Sequence, residues 1–255
     1  MATFLKMKLG NAKLKTTALF DIPAGYTCPQ AKDCYTKADR DTGHLKIGKD
    51  AIFRCYAASS ENRYPNVRKL RWHNYDLLKG KSVSEMATLI IDSVRLNSFD
   101  DIERFRIHSS GDFFSQDYFD AWIEVAKHYP NVLFYAYTKA LSYWIARLDV
   151  IPTNIVLTAS KGGKMDDLIE RHNLKFVEVV YSIEEANEKG LKLDEGDKLA
   201  YSQNLPFAIL IHGSQPKGSK AGLSVAELRR KGIFGYSDKK KELEEEFRKK
   251  SLSIA

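Results

Sequence analysis

Residues 104–140, RFRIHSSGDFFSQDYFDAWIEVAKHYPNVLFYAYTKA, decide the fold. Residues 105–107 predict a short strand that ends in His-Ser-Ser-Gly-Asp. Residues 115–129 predict a helix, because Phe119, Trp122, Ile123 and Ala126 recur at helical spacing and Pro130 stops the run. Residues 132–137 return to strand. A strand, a crossover helix and a second near-continuous apolar strand are what parallel pairing requires.

The alternation continues outward in both directions. Downstream come a short helix over 141–148, a strand over 155–159, a helix over 165–171, a strand over 176–181 and a helix over 184–188. Residues 190–204 are polar and turn-rich, and residues 207–211 form a last apolar strand ending His-Gly-Ser. Upstream, Ser82 and Glu85 fit a capping box ahead of Met86, Leu89, Ile90 and Val94, which predicts a helix. Residues 17–22 suit a strand ended by Pro23 and Gly25. The fold class is α/β, with a partial or full β/α barrel-like parallel sheet in one domain over residues 1–237. Residues 238–255 read as a charged C-terminal helix or tail.

Between the first strand and the capped helix lie residues 27–74, which hold all three cysteines, Cys28, Cys34 and Cys55. The segment lacks regular periodicity and reads as a long loop after the first strand, uncommon in a compact domain unless something orders it. Three cysteines are an odd number, and no signal segment precedes them. A disulfide framework is therefore a poor account, and the alternatives are buried structural thiols or a metal centre. With C-x5-C and a third cysteine 21 residues on, the spacing differs from zinc fingers and ferredoxins. Two centres remain open: a [4Fe-4S] cluster held at three irons, or zinc completed by His44 or His73.

The 44% hydrophobic and 11% aromatic contents exclude wholesale disorder. No apolar run approaches a membrane span, so a cytoplasmic protein without a membrane partner is expected. The net charge of +7 is unevenly placed: residues 1–75 carry 14 Lys or Arg against 6 Asp or Glu, which is +8 and leaves −1 for the remainder. That segment could offset a thiolate cluster through Arg54, Arg63, Arg68 and Lys69. It could also bind nucleic acid, with Tyr64, Trp72 and Tyr75 interleaved for stacking, or be a solvated basic face.

Sites in parallel α/β folds form at the carboxyl ends of strands. The candidates there are His108, Ser110, Gly111, Asp112, Tyr137, Lys139 and Ser160, with Asp112 also read as a helix N-cap. A thiol catalyst with Cys28 as nucleophile and His108 as base is a third, weaker reading.

TCPQAKDC, FRCYAASSE, YPNVRKLRWHN, RIHSSGDFFSQDYFDAW, FYAYTKA and ILIHGSQPKG together resemble the bacteriophage gene-product-88 family over residues 15–235. The resemblance implies a phage-encoded protein of the host cytoplasm. A second similarity, of layout, is to radical S-adenosylmethionine enzymes. These set three cysteines after the first barrel strand and a Gly-rich acidic motif after the second. That resemblance implies an iron–sulfur enzyme in which Ser110, Gly111 and Asp112 meet S-adenosylmethionine. The chain departs from it in cysteine spacing, since Cys55 falls far beyond the usual C-x3-C-x2-C.

Overall fold

The computed structural model describes residues 4–10, 14, 16–97, 99, 102–194, 196–202 and 204–233. The tail expected over 238–255 lies outside them. The chain opens with β1 (Lys8–Leu9), β2 (Thr17–Asp21) and the hairpin β3 (Thr36–Ala38) and β4 (Leu45–Ile47). Three helices follow, α1 (Tyr56–Arg63), α2 (Pro65–Leu78) and α3 (Val83–Leu96). Then come β5 (Arg104–Ser110), α4 (Gln116–His128), β6 (Leu133–Thr138), α5 (Leu141–Ile145), β7 (Ile155–Ser160), α6 (Asp167–Arg171), β8 (Phe176–Val180) and α7 (Ile183–Glu188). The last elements are β9 (Lys192–Leu193), α8 (Lys198–Ser202), β10 (Phe207–Leu210) and α9 (Lys220–Arg230).

Eight strands form one sheet in the order β1-β2-β5-β6-β7-β8-β10-β9. Among β2, β5, β6, β7, β8 and β10 each strand lies beside the one before it in that series, so these crossovers step the same way, while the two-residue β9 skips outside β10. This is the progression of a β/α barrel, but the sheet is open. One edge is the antiparallel pair of β1 on β2, the other the two-residue β9, and among the described residues no pairing joins them.

One sheet face is apolar. Phe20, Phe105, Ile107, Phe134, Ala136 and Leu157 pack against Met86, Ile90 and Val94 of α3 and Phe119, Trp122 and Ile123 of α4. Trp122 sits at the centre of this layer, 5.3 Å from Phe105 and 5.8 Å from Phe20 between ring centroids. The capping box forms, with the Ser82 hydroxyl accepting from Glu85 N–H and the Glu85 carboxylate accepting from Ser82 N–H.

The long-loop expectation for residues 27–74 needs correction. The segment contains the β3–β4 hairpin, α1 and most of α2. Its helices lack apolar periodicity because Glu61, Arg68, Arg71 and Asn74 form much of their buried side. Irregular chain remains mainly between β2 and β3 and between β4 and α1, and the three cysteines stand in those two stretches.

Candidate three-thiol site

Cys28 sits in the turn after β2, where Gly25 N–H donates to its Sγ at 3.3 Å. Gly25 has φ 73°, and a β-carbon there would lie 2.3 Å from the Thr36 carbonyl oxygen, so the turn requires glycine. Cys34 is held through its neighbours: Lys32 and Asp33 N–H donate to the Gly162 carbonyl at 3.2 and 2.9 Å, and Lys164 N–H donates to Gln30 at 2.8 Å. The first cysteine loop is thereby stitched to the turn after β7. The Asp33 carbonyl accepts Ile52 and Phe53 N–H, which brings the chain back to Cys55. Cys55 occupies the N-cap position of α1.

All three thiols are free and half-buried. Each is within electrostatic reach of at least one other. Burial, then the charges of Asp112, Cys55 and Cys34, push the Cys28 thiol well up. Burial also raises Cys34, against a lowering influence from the Lys139 ammonium. Cys55 is pushed up to about 12, first by burial and then by Cys34, although the Ala57 and Ala58 N–H groups of α1 act the other way. Without a cation at their centre the three side chains are neutral thiols at neutral pH, and a bound metal would reverse that balance. Among the described residues, no three His, Cys, Asp or Glu side chains form a ready-made set for a single metal ion.

Asp112 lies beside the thiols and is buried. Its Oδ1 accepts Thr138 Oγ1–H at 2.6 Å and Phe113 N–H at 2.8 Å, and its Oδ2 accepts Lys139 N–H at 2.8 Å. Burial outweighs these bonds and raises its carboxyl to about 6. It does not cap the following helix, because the Ser115 hydroxyl accepts from Tyr118 N–H in that role. Lys139 Nζ donates to the Ser160 carbonyl, the Ser160 hydroxyl and the Lys161 carbonyl at 2.7–2.8 Å. Ser110 Oγ donates to the Ile22 carbonyl at 2.9 Å. Gly111 has φ 85° and approaches Ile22 and Thr27 so closely that a β-carbon would stand 2.4 Å from Ile22 Cγ1.

The other candidates stand elsewhere. His108 is buried against Phe113 and Tyr118, its Nε2 3.1 Å from the Tyr118 hydroxyl, and burial lowers its pKa to about 3. An imidazole so reluctant to take a proton, set in the core, is a poor base for Cys28. Tyr137 faces Asp197 on the second face of the sheet. His44 is exposed in the β3–β4 connection, and His73 Nε2 bonds the Phe4 carbonyl at 2.9 Å. Arg68 donates to the carbonyls of Arg40, Asp41 and Glu61, so its charge ties the hairpin to the helices. Arg63 lies over the Tyr64 ring, and Arg54 donates weakly to the Ser214 carbonyl. Of the interleaved aromatics, Trp72 packs on Tyr26 and Tyr75 under Arg40, which is paired with Asp76, while Tyr64 remains exposed.

Several polar groups at this edge, buried or partly buried, gave no periodic signal in the sequence. Glu61 is fully buried, accepts Ala24 N–H at 2.8 Å and pairs with Arg71 at 2.9 Å. Tyr56 donates to the Ser109 carbonyl and its ring lies 5.0 Å from that of His212. A helix with polar residues on its buried side gives no periodic signal for Glu61 and Arg71. His212 was visible only as a strand end.

The fold and its edge thus define an α/β protein with an open, mostly parallel sheet and three thiols at the carboxyl ends of its strands. The Gene product 88 family profile matches residues 3–233, and the chain belongs to that family. It is similar to the Gene 88 protein of Mycobacterium phage L5, 31% identical over 140 residues, 52% of this chain and 52% of that protein. The Gene 88 protein of Mycobacterium phage D29 is 29% identical over 140 residues, 52% of this chain and 51% of that one. The match therefore spans about half the length of these curated relatives. No solved structure matches the chain. No described helix is long and apolar enough to cross a membrane.

Proposed function

We propose that this is a phage iron–sulfur protein whose Cys28, Cys34 and Cys55 hold a [4Fe-4S] cluster with one iron left open to a further ligand. The observation that carries the reading is the meeting of three thiols from separate segments, with Asp112 and Lys139 beside them. Each thiolate of such a cluster binds a different iron, so the ligands stand farther apart than around one ion. Among the described residues the thiols form no set for a single ion. When bound, the cluster would supply an open iron and a one-electron couple.

This chain's residues would do the rest. The Asp112 and Lys139 bonds join the chain ends after β5, β6 and β7 to one another beside the thiols. Lys139 contributes the positive charge that acts on Cys34. The finer form of the proposal is a radical-S-adenosylmethionine-like enzyme, with the Ser110-Gly111-Asp112 turn beside the bound amine. Asp112 already accepts three donors, so it would offer an amine little beyond a remaining lone pair.

The test is anaerobic purification of the full chain with iron, acid-labile sulfide and zinc analysis and a visible spectrum. Brown protein containing iron and sulfide supports the reading. A colourless protein with stoichiometric zinc, or one that takes up neither metal, overturns it.

A further inference from the structure

The two faces of the sheet differ in kind. Opposite the Phe, Trp and Leu layer, Arg104, Arg106, Tyr135, Tyr137 and Thr158, with Lys175 just ahead of β8, share the face with Val156, Val177 and Phe207, and the five-residue α8 covers this mixed patch. Burying guanidinium and phenol groups costs free energy unless each finds a partner. Here one carboxylate gathers three of these polar groups. Asp197 accepts Arg106 Nη1–H at 2.7 Å and the Tyr135 hydroxyl at 3.0 Å on Oδ2, and the Tyr137 hydroxyl at 3.1 Å on Oδ1.

Arg106 is further fixed by Nε–H donation to the His108 carbonyl at 3.0 Å and lies over the Tyr137 ring. Asp197 holds its carboxylate there from a left-handed backbone, φ 62°. A guanidinium flanked by two phenols suits an oxyanion, because Arg106 Nη1–H and the Tyr135 hydroxyl meet one oxygen while the Tyr137 hydroxyl meets the other. The residue that fills it immediately precedes α8, a helix too short to be stable alone, which Leu199, Ala200 and Tyr201 anchor. We infer that Arg106, Tyr135 and Tyr137 form a binding site for the carboxylate or phosphate group of a ligand, and that Asp197 is a built-in stand-in which that group displaces. Tyr56 and His212 lie within electrostatic reach of Arg106, which puts the site next to the edge that carries the thiols.

The test uses the full chain, wild type and Asp197→Gly, since glycine tolerates this backbone. Sodium phosphate and sodium acetate are titrated against sodium chloride at matched ionic strength. Thermal unfolding and amide exchange over residues 196–202 are read. In Asp197→Gly a saturable rise in melting temperature is expected, at anion concentrations about tenfold or more below those acting on wild type, because an intramolecular competitor is gone. The response should vanish when Arg106→Met is added, and the acetate and phosphate arms tell which oxyanion is preferred. In wild type, saturating anion should speed exchange in α8. A folded Asp197→Gly chain without a saturable response overturns the proposal, and so do wild-type α8 amides that exchange alike with and without anion. The second measurement decides if Asp197→Gly does not fold.

Discussion

Asp112 Oδ2 accepts the backbone N–H of Lys139 at 2.8 Å, so the loops after β5 and β6 are joined where they flank the thiols. The same carboxylate takes the Thr138 hydroxyl and Phe113 N–H. Asp112→Ala would strand three buried donors and should cost about 2–4 kcal/mol, measured by denaturant unfolding. Thr138→Val in that background should add less than it costs alone, because the two share one bond. Strict additivity would contradict the network.

Gly111→Ala should destabilise by at least about 1–3 kcal/mol, since φ 85° disfavours an L side chain and the new methyl would strike Ile22 and Thr27. Gly190→Ala, whose φ of 64° carries the same backbone penalty but whose β-carbon meets nothing, is the control. Equal losses in both would show that the close approach of the two loops contributes nothing.

Arg71→Met should be among the most damaging single changes in the helical segment. It leaves the Glu61 carboxylate buried without its 2.9 Å partner, at a cost of about 3–5 kcal/mol. Glu61→Gln/Arg71→Met should recover part of the loss in the same unfolding experiment. No recovery would mean that Arg71 acts through its bond to the Ala57 carbonyl instead.

His108 gives the acid limb of stability a definite sign. Its folded pKa is lowered to about 3 from the ordinary 6.5, by burial first, so the unfolded chain takes up the proton more readily. The contribution is fully present above pH 6.5 and is lost as pH falls towards 3. Wild type minus His108→Gln should show that loss in melting temperature. A difference flat with pH would contradict the buried, neutral imidazole.

Strands β2, β5, β6, β7, β8 and β10 were legible as short apolar runs and helices α3 and α4 by their period: Phe119, Trp122, Ile123 and Ala126 are buried as their spacing requires. The short β1, β3, β4 and β9 gave no such signal. Strand ends shifted by a residue or so, and β5 runs on to Ser110 through an irregularity opposite β2 that no alternation announces. Helices α1 and α2 were hidden because they bury Glu61, Arg68, Arg71 and Asn74, paired by contacts distant in sequence. Helix α9 buries Ala221, Val225 and Leu228 behind a Ser219 cap, a signal present in the sequence but masked by its flanking lysines and arginines. The cysteines could be nominated from their number and setting. Their grouping depends on Gly162, Asp33 and Thr36, whose hydrogen bonds only the folded chain reveals.

The central claim is that the three thiols serve one iron–sulfur centre. Iron and acid-labile sulfide should be measured on anaerobically reconstituted wild type and on Cys28→Ala, Cys34→Ala and Cys55→Ala, alongside far-ultraviolet circular dichroism to verify folding. The account predicts iron and sulfide in equal amounts in wild type and their loss in each folded variant. Full retention of the centre in any one variant, or stoichiometric zinc without sulfide in wild type, would contradict it.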